Sequence, residues 1–550
     1  MRKDVSGWQV RLDDALIEQH VKSGAWQNRT IAQLAMELAA RKPRHVTHVF
    51  EGRSYTIAEL LEQADALAAS LRERGLKPGD VVSFQLPNWV EASVINLACC
   101  MLGLVIAPIV PIYRDAEAAY MLADAGVKAA FVPGDFRGFH YLDMMRRLAP
   151  QLPALQFICS VRMPPGERDV NSFEAMVGSG RKFGSPPDVD PNAVKLILYT
   201  SGTTGRPKGV LHSHNSMSYA VQRAVQHWGQ GEGDTMLMAS PVTHITGFGS
   251  GLELPLLSGI RVVFMERWNA AEGVALIERE QATMSMGATP FLHELLAEAE
   301  KQGKRLPSLR SYACGGAAVP PALVRKASEV LDNCRAFRVF GSSEVPLTTL
   351  GFVGPDQLDL AAETDGEIVH YDVRVVDDEG RILPPGQEGE ICARGPAMML
   401  GYADPQQTVE SFDADGYFLT GDLGHITPER AIVITGRKKD LINRGGEKIS
   451  AKEVEDILHQ HPAIEEAAAV AMPHERLGET VCAYVTLKGG RELGFEQMIA
   501  HVAKSGVARQ KYPERLVVLE AFPRTASGKI RKDRLREDIR ERLRAERTAA

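Results

Sequence analysis

The sequence predicts an α/β protein with a large N-terminal domain of helix-covered sheets, a small β-rich layer, and a small C-terminal α+β domain. Three observations carry this prediction. Up to about residue 350, short Val/Ile/Leu runs alternate with Ala/Leu/Glu-rich stretches, the pattern of parallel strands covered by helices. From about Glu367 the texture shifts to short strands at 373–377, 390–394 and 432–435, separated by Gly-, Pro- and Asp-rich turns. After Gly436 a further segment reads helix, strand, strand, helix, strand, and its length of about 110 residues is a common domain size. At 550 residues the chain exceeds what one hydrophobic core serves. The expected boundaries are 1–436, a connection at 437–440, and 441–550.

Taken in order, residues 11–23 and 30–41 read as amphipathic helices, 54–75 as a helix stopped by glycine, and 81–85 as a short strand. Residues 92–113 are 22 in a row without charge. Asn96, Gly103, Pro108 and Pro111, with a β-branched second half, make them a buried helix running into a buried strand rather than a membrane span. Residues 195–198 form an apolar strand. In the last segment 451–460 and 495–504 are helices, and 465–472, 480–487 and 515–519 are strands. The final twenty residues, dense in Arg and Glu, read as a solvated helix.

Bulk properties exclude some classes. The chain is 44% hydrophobic and 24% charged, and 63 basic against 70 acidic residues give a formal charge of −7. No basic excess points to nucleic acid. Seven scattered cysteines contain no CxxC pair, which suggests free thiols in a reducing compartment, hence a cytoplasmic protein. Residues 1–9 carry Arg2 and Lys3 without a following apolar run, so neither a signal peptide nor stable membrane insertion is expected.

The string Tyr199-Thr-Ser-Gly-Thr-Thr-Gly-Arg-Pro-Lys-Gly209 follows the strand at 195–198. Thr200, Ser201, Thr203 and Thr204 supply hydroxyls, while Gly202, Gly205 and Gly209 let the backbone approach a ligand. Successive N–H groups of such a loop form an anion nest, and Lys208 adds a point charge suited to phosphate. No Ser or Thr follows the lysine, so this is not the GxxxxGK[ST] loop, and the GxGxxG spacing of dinucleotide binders is absent.

On this string the chain resembles the adenylate-forming superfamily of acyl-CoA synthetases, luciferases and nonribosomal adenylation domains, and most resembles a stand-alone acyl-CoA synthetase. Further strings follow in the family's order, and the resemblance covers residues 30–535. Pro241-Val-Thr-His-Ile-Thr-Gly-Phe248 resembles the substrate-side motif, with His244 beside the carboxylate. Cys314-Gly-Gly-Ala-Ala318 resembles the adenine loop, which implies adenine contacts from Gly315, Gly316 and Ala317. Phe340-Gly-Ser-Ser-Glu344 resembles the aromatic-Gly-x-Thr-Glu motif. Phe340 replaces the usual Tyr and Ser343 the usual Thr. Gly341, Ser342 and Ser343 would line the nucleotide, and Glu344 with Thr200 would hold Mg2+. Asp422 in Tyr417-Phe-Leu-Thr-Gly-Asp-Leu423 matches the ribose-binding carboxylate, and Arg437 a ribose- or phosphate-contacting arginine. Lys439 matches a hinge position, which implies a mobile C-terminal domain. Arg444, Gly445, Gly446 and Lys448 lie in the loop that approaches the site for thioester formation and would meet CoA. Lys529 in Pro523-Arg-Thr-Ala-Ser-Gly-Lys-Ile530 matches the catalytic lysine, with His244 and Lys208 as further catalytic groups.

The resemblance implies a two-step ligase: acid and ATP give acyl-AMP and pyrophosphate, then CoA gives acyl-CoA and AMP. No counter-charge for an α-amine stands near His244, so an amino acid is disfavoured. Ile245, Gly247, Phe248, Val339 and Pro346 are the expected acyl pocket. They suit an apolar acid, whether medium-chain, branched, alicyclic or simple aryl. Residues 8–11 and 24–26 resemble the opening of cyclohexanecarboxylate-type CoA ligases. Two alternatives stay open: an aryl-acid adenylating enzyme that loads a carrier protein, and an ATP phosphotransferase, which would release ADP. A homodimer is compatible with the resemblance.

Overall fold

The computed structural model describes residues 1–163, 171–184, 187–200, 207–317, 319–445, 447–525 and 528–549. Two compact units emerge, one of residues 1–372 with 393–418 and one of 373–392 with 419–550.

The first unit contains two seven-stranded sheets. One runs Phe157–Val161, Val127–Pro133, Val81–Phe84, Val105–Pro108, Val194–Thr200, Lys208–Ser213, Gly401–Tyr402. Its first five strands are parallel and the last two pairings antiparallel. The other runs Arg335–Val339, Ser311–Gly315, Met284–Gly287, Thr235–Met238, Arg261–Phe264, Val46–Phe50, Arg53–Thr56. It is parallel except for the final hairpin. Helix-covered parallel sheets are therefore present, as the alternating pattern requires.

Local rules set the helix ends. Thr30 and Thr56 each close a capping box, with Gln33 and Glu59, so the helices Ile31–Arg41 and Ile57–Glu73 start where their orphan N–H groups find oxygens. The second start corrects the sequence reading. Residues 54–56 belong to the strand Arg53–Thr56, paired to Val46–Phe50, and the helix begins only after the Thr56 cap. Gly75, at φ +87°, ends the turn beyond it. The uncharged stretch forms all but the first two residues of the helix Val90–Leu102, buried except at Glu91 and ended by Gly103 at φ +71°, then the buried strand Val105–Pro108. No helix among the described residues is long and apolar enough to cross a membrane. All seven cysteines are buried free thiols.

Among the described residues, the first unit's core holds a fully buried ion pair. Lys195 and Glu253 are 1% and 0% exposed and bond to each other, with the Phe248 ring 5.2 Å from the lysine nitrogen. Glu253 ends the π-helix Phe248–Glu253, so the pair ties that wide-wound segment to the strand that leads into the phosphate loop.

The second unit contains most of a four-stranded sheet, Asp372–Val376, Gly389–Arg394, Phe418–Ile426, Ile432–Arg437, whose residues 372, 393, 394 and 418 count with the first unit. It also contains a sheet built on the long hairpin Ile464–His474 and Gly478–Leu487. Strand alternation splits that hairpin into two faces. Ala467, Ala469, Val481 and Val485 pack into one cluster with the helix Ala451–His459. Ala468, Val470, Cys482 and Tyr484 pack into another with Leu535 and Ile539 of the helix Lys532–Ala549. The connection expected at 437–440 lies within this unit and contains the 3-10 turn Lys438–Asp440.

Removing one member of the buried pair strands a charge. Glu253→Ala is expected to cost about 3–5 kcal/mol of stability, and Lys195→Met with Glu253→Leu to recover most of it; urea denaturation of the three proteins reads this directly.

Candidate functional site

The phosphate loop is the connection of an antiparallel hairpin. Val194–Thr200 pairs with Lys208–Ser213, with Thr200 opposite Lys208. Ser201, Gly202, Thr203, Thr204, Gly205 and Arg206 lie outside the described residues. The helix Asp115–Asp124 holds both shoulders of the loop. The Tyr199 hydroxyl donates to Asp124 at 2.7 Å, and the Tyr120 hydroxyl donates to the Pro207 carbonyl at 3.3 Å. Gly209 has a packing reason: a Cβ there would fall 2.7 Å from Ile197.

The next strand of that sheet carries a residue the sequence reading missed. Tyr402 pairs with Val210, its ring centroid lies 5.0 Å from the Lys208 nitrogen, and its hydroxyl donates to Glu344 Oε1 at 2.9 Å. Burial, and then the Glu344 charge, push the Tyr402 phenol well above its usual range, so it stays a donor. Glu344 is fixed by its backbone as well. Its N–H donates to Ser342 Oγ at 3.2 Å, and its carbonyl accepts from Met399 N–H at 2.8 Å.

His212, also missed, anchors the preceding residue. Its Nε2 bonds the Ser343 carbonyl at 2.7 Å and its Nδ1 the Ser216 hydroxyl at 3.1 Å. A carbonyl only accepts, so Nε2 carries the proton and Nδ1 accepts from Ser216. Burial pulls His212 down to about 4, so the ring is neutral near pH 7. Ser343 itself is 9% exposed.

Gly315 and Val339 are register partners at the C-terminal ends of adjacent parallel strands, the edge where open α/β sheets bind ligands. A Cβ on Gly315 would fall 2.4 Å from the Val339 carbonyl oxygen, and Gly316 sits at φ +81°. Ala317 is exposed. Phe340 follows, its N–H held by Thr349 Oγ1 at 2.7 Å. Gly341 is tight as well, since a Cβ there would lie 2.5 Å from the Leu347 nitrogen.

The segment after His244 sorts the expected acyl-pocket residues. His244 caps the short helix Ile245–Gly247, which runs straight into the π-helix Phe248–Glu253. Ile245, Thr246 and Ser250 keep partial exposure, and Pro346 and Val339 are buried. Gly247 is packed so closely on Pro241 that a Cβ would fall 2.1 Å from its carbonyl oxygen. Phe248 has 0% exposure and faces the core beside Lys195. Phe248 opens the π-helix and is buried, while Ser250 two positions on keeps partial exposure.

In the second unit, four expected residues converge. Asp422 and Arg437 are cross-strand partners, and Arg437 Nε donates to Asp422 Oδ1 at 2.7 Å. Burial pushes the Asp422 carboxyl above its usual value, while Arg437, Lys529 and Lys439 act on the same carboxylate in the opposite direction. Lys439 is lowered by burial and by Arg437. Arg444 and Lys448 are ion-paired, with Glu514 at 2.7 Å and Asp378 at 2.6 Å. Gly445 sits at φ +60°; Gly446 lies outside the described residues.

Two predictions come from this geometry. Tyr402→Phe removes one hydrogen bond to a charged acceptor, worth about 1.5–3 kcal/mol; if Glu344 serves a nucleotide as the sequence implies, titration is expected to show at least about tenfold weaker ATP binding with an unchanged fold. His48 and His212 both fall to about 4 by burial, from an ordinary 6.5. Between those values the unfolded chain binds more protons, so stability falls as pH drops through that window. Urea midpoints from pH 7 to pH 4.5 check this, and His212→Gln should flatten the slope.

Known proteins share this architecture. The model of the AMP-binding enzyme family matches residues 36–403, and that of the AMP-binding enzyme C-terminal domain matches residues 453–529. A medium-chain fatty-acid–CoA ligase of Escherichia coli K12 is 38% identical over 528 residues, covering 95% of this chain and 92% of its own. A 2-hydroxy-7-methoxy-5-methyl-1-naphthoate–CoA ligase of Streptomyces carzinostaticus is 33% identical, covering 95% of each. Among solved structures, ATP-bound MatB from Rhodopseudomonas palustris superposes with a TM-score of 0.83 at 28% identity, over 92% of this chain and 98% of that one. The strand register at the phosphate loop, the Asp422–Arg437 pair and these matches over nearly the whole chain lead to one conclusion: the chain belongs to the AMP-binding enzyme family and is an adenylate-forming ligase of the acyl-CoA synthetase type.

Proposed function

We propose that this enzyme joins an apolar carboxylic acid of medium chain length to CoA through an acyl-adenylate. The observation that carries the reading is the cluster of Arg437, Lys439 and Lys529 around the buried Asp422. A carboxylate there suits the two hydroxyls of a ribose, and the cations beside it suit an α-phosphate. The 38% identical relative is named for medium-chain fatty acids, and Ile245 and Val339 are apolar. A simple aryl acid is the second reading, favoured by the naphthoate-ligase relative.

The acid's carboxylate attacks the α-phosphorus of ATP, and pyrophosphate leaves with the bonding pair. Lys529 stabilises the charge that develops on the phosphorus oxygens and orients the attacking carboxylate. Thr200 and Lys208, which the hairpin holds opposite each other, would meet the triphosphate from the loop's two ends. Mg2+ held through phosphates needs only one or two protein carboxylates. Glu344, with Oε1 engaged by Tyr402 and its backbone locked, fits that part together with Thr200. When bound, the ion neutralises the departing pyrophosphate's charge. The CoA thiol then displaces AMP, with Arg444, Gly445, Gly446 and Lys448 on its approach. Lys439 is the proposed hinge, about which 441–550 turns between the two steps. The buried free thiols agree with a reducing, cytoplasmic setting.

A pyrophosphate-release assay over a panel of acids, with and without CoA, tests the reading. Medium-chain acids should give the highest kcat/KM, and AMP should accompany pyrophosphate only when CoA is added. Absence of pyrophosphate with every acid would sink the proposal. Lys529→Ala should lower adenylation by at least about a hundredfold and spare thioester formation from supplied acyl-AMP; equal loss of both would reject the assigned role.

A further inference from the structure

Lys529 is carried by a surface turn, and a catalytic ammonium needs a fixed backbone. Four backbone-directed bonds close that turn. Thr525 N–H donates to the Lys529 carbonyl at 2.7 Å, Gly528 N–H to the Thr525 carbonyl at 3.0 Å, Lys529 N–H to Thr525 Oγ1 at 3.1 Å, and Arg531 N–H to the Pro523 carbonyl at 2.8 Å. Arg524 and Ile530 bridge across it. These bonds shape the turn, and its flanks reach the core through Phe522 and Ile530.

Arg524 adds a polar tie beside the lysine itself. One terminal nitrogen donates to the Gly528 carbonyl at 2.7 Å, and the other bonds both carboxylate oxygens of Glu466. Gly528 directly precedes Lys529 and sits at φ +87°, where a side chain is strained. Glu466 lies on the strand Ile464–His474, an edge strand paired along its length to Gly478–Leu487, and the following Ala467 and Ala468 are buried in the unit's two cores. The guanidinium therefore spans from a sheet to the peptide next to the catalytic lysine. Its planar fork can hold a carboxylate and a carbonyl at once; a lysine would hold them as a flexible point charge.

We infer that Arg524, braced by Glu466, is a positioning residue for Lys529 and so acts on adenylation alone. Both side chains are about a third exposed, 31% and 32%, so the pair contributes little to stability and its variants should fold. Displacement of a catalytic group by about 1 Å costs on the order of a hundredfold in rate. The inference rests on Lys529 being the adenylation lysine.

The test measures the two half-reactions separately in the full-length enzyme. Acid-dependent ATP–pyrophosphate exchange reports adenylation, and thioester formation from supplied acyl-AMP and CoA reports the second step. Arg524→Ala should lower kcat for exchange by about 10- to 100-fold, with the MgATP KM and the thioester rate unchanged. Arg524→Lys should recover only a minor part, and Glu466→Gln should fall between. A parallel fall of both half-reactions with a lowered thermal midpoint would mean a merely structural pair, and unchanged exchange would mean no brace; either overturns the inference. Lys529→Ala run alongside separates the cases. If it spares exchange, the lysine's assigned role fails; if it abolishes exchange while Arg524→Ala does not, only the brace fails.

Discussion

The strand Lys208–Ser213 is the constraint on which the nucleotide half of the proposed site depends. Its pairing with Val194–Thr200 sets Thr200 against Lys208. Its other edge pairs with Gly401–Tyr402 and so delivers a phenol to Glu344. Its own His212 holds the carbonyl of Ser343, one residue before that carboxylate. A slip of one position would turn Lys208 and His212 to the opposite face, because strand side chains alternate. One short strand thus fixes three groups far apart in sequence.

The charges in this protein are placed by two different logics. His48, His212 and His214 are buried and pushed down by desolvation, so they serve as neutral hydrogen-bonding pieces. Lys195 and Glu253 are buried as charges and hold each other. Around Asp422 a carboxylate is buried beside cations, an arrangement that suits a polar, anionic ligand rather than packing.

Much of the fold was legible in the sequence because its signals are local, and so were the strings on which the proposed site rests. The alternating runs before residue 350 gave the sheets, and loops such as SGTTGRPKG carry glycines and hydroxyls in adjacent positions. What was not legible is what the topology brings together. Tyr402 stands 58 positions from Glu344, and His212 stands 131 from Ser343; no spacing rule links such pairs. Residues 54–56 were merged into a helix because a polar strand before a capping Thr carries no periodicity of its own. Phe248, expected in the acyl pocket for being apolar near His244, is buried at the start of a π-helix, a winding with i to i+5 hydrogen bonds that cannot be read from composition. The grouping of 373–392 with 419–550 was equally invisible, since each short strand looks alike until its partners are known.

That grouping makes the protein a stitched object. The chain leaves the first unit after residue 372, returns at 393, and leaves again after 418, so three covalent threads join the halves instead of one. A single proteolytic nick at any thread would release neither half. A fragment ending at residue 372 would keep the phosphate loop yet lack the strand that presents Tyr402. Anyone transplanting the small half of this enzyme onto a relative must therefore choose a cut that leaves 393–418 with the large one.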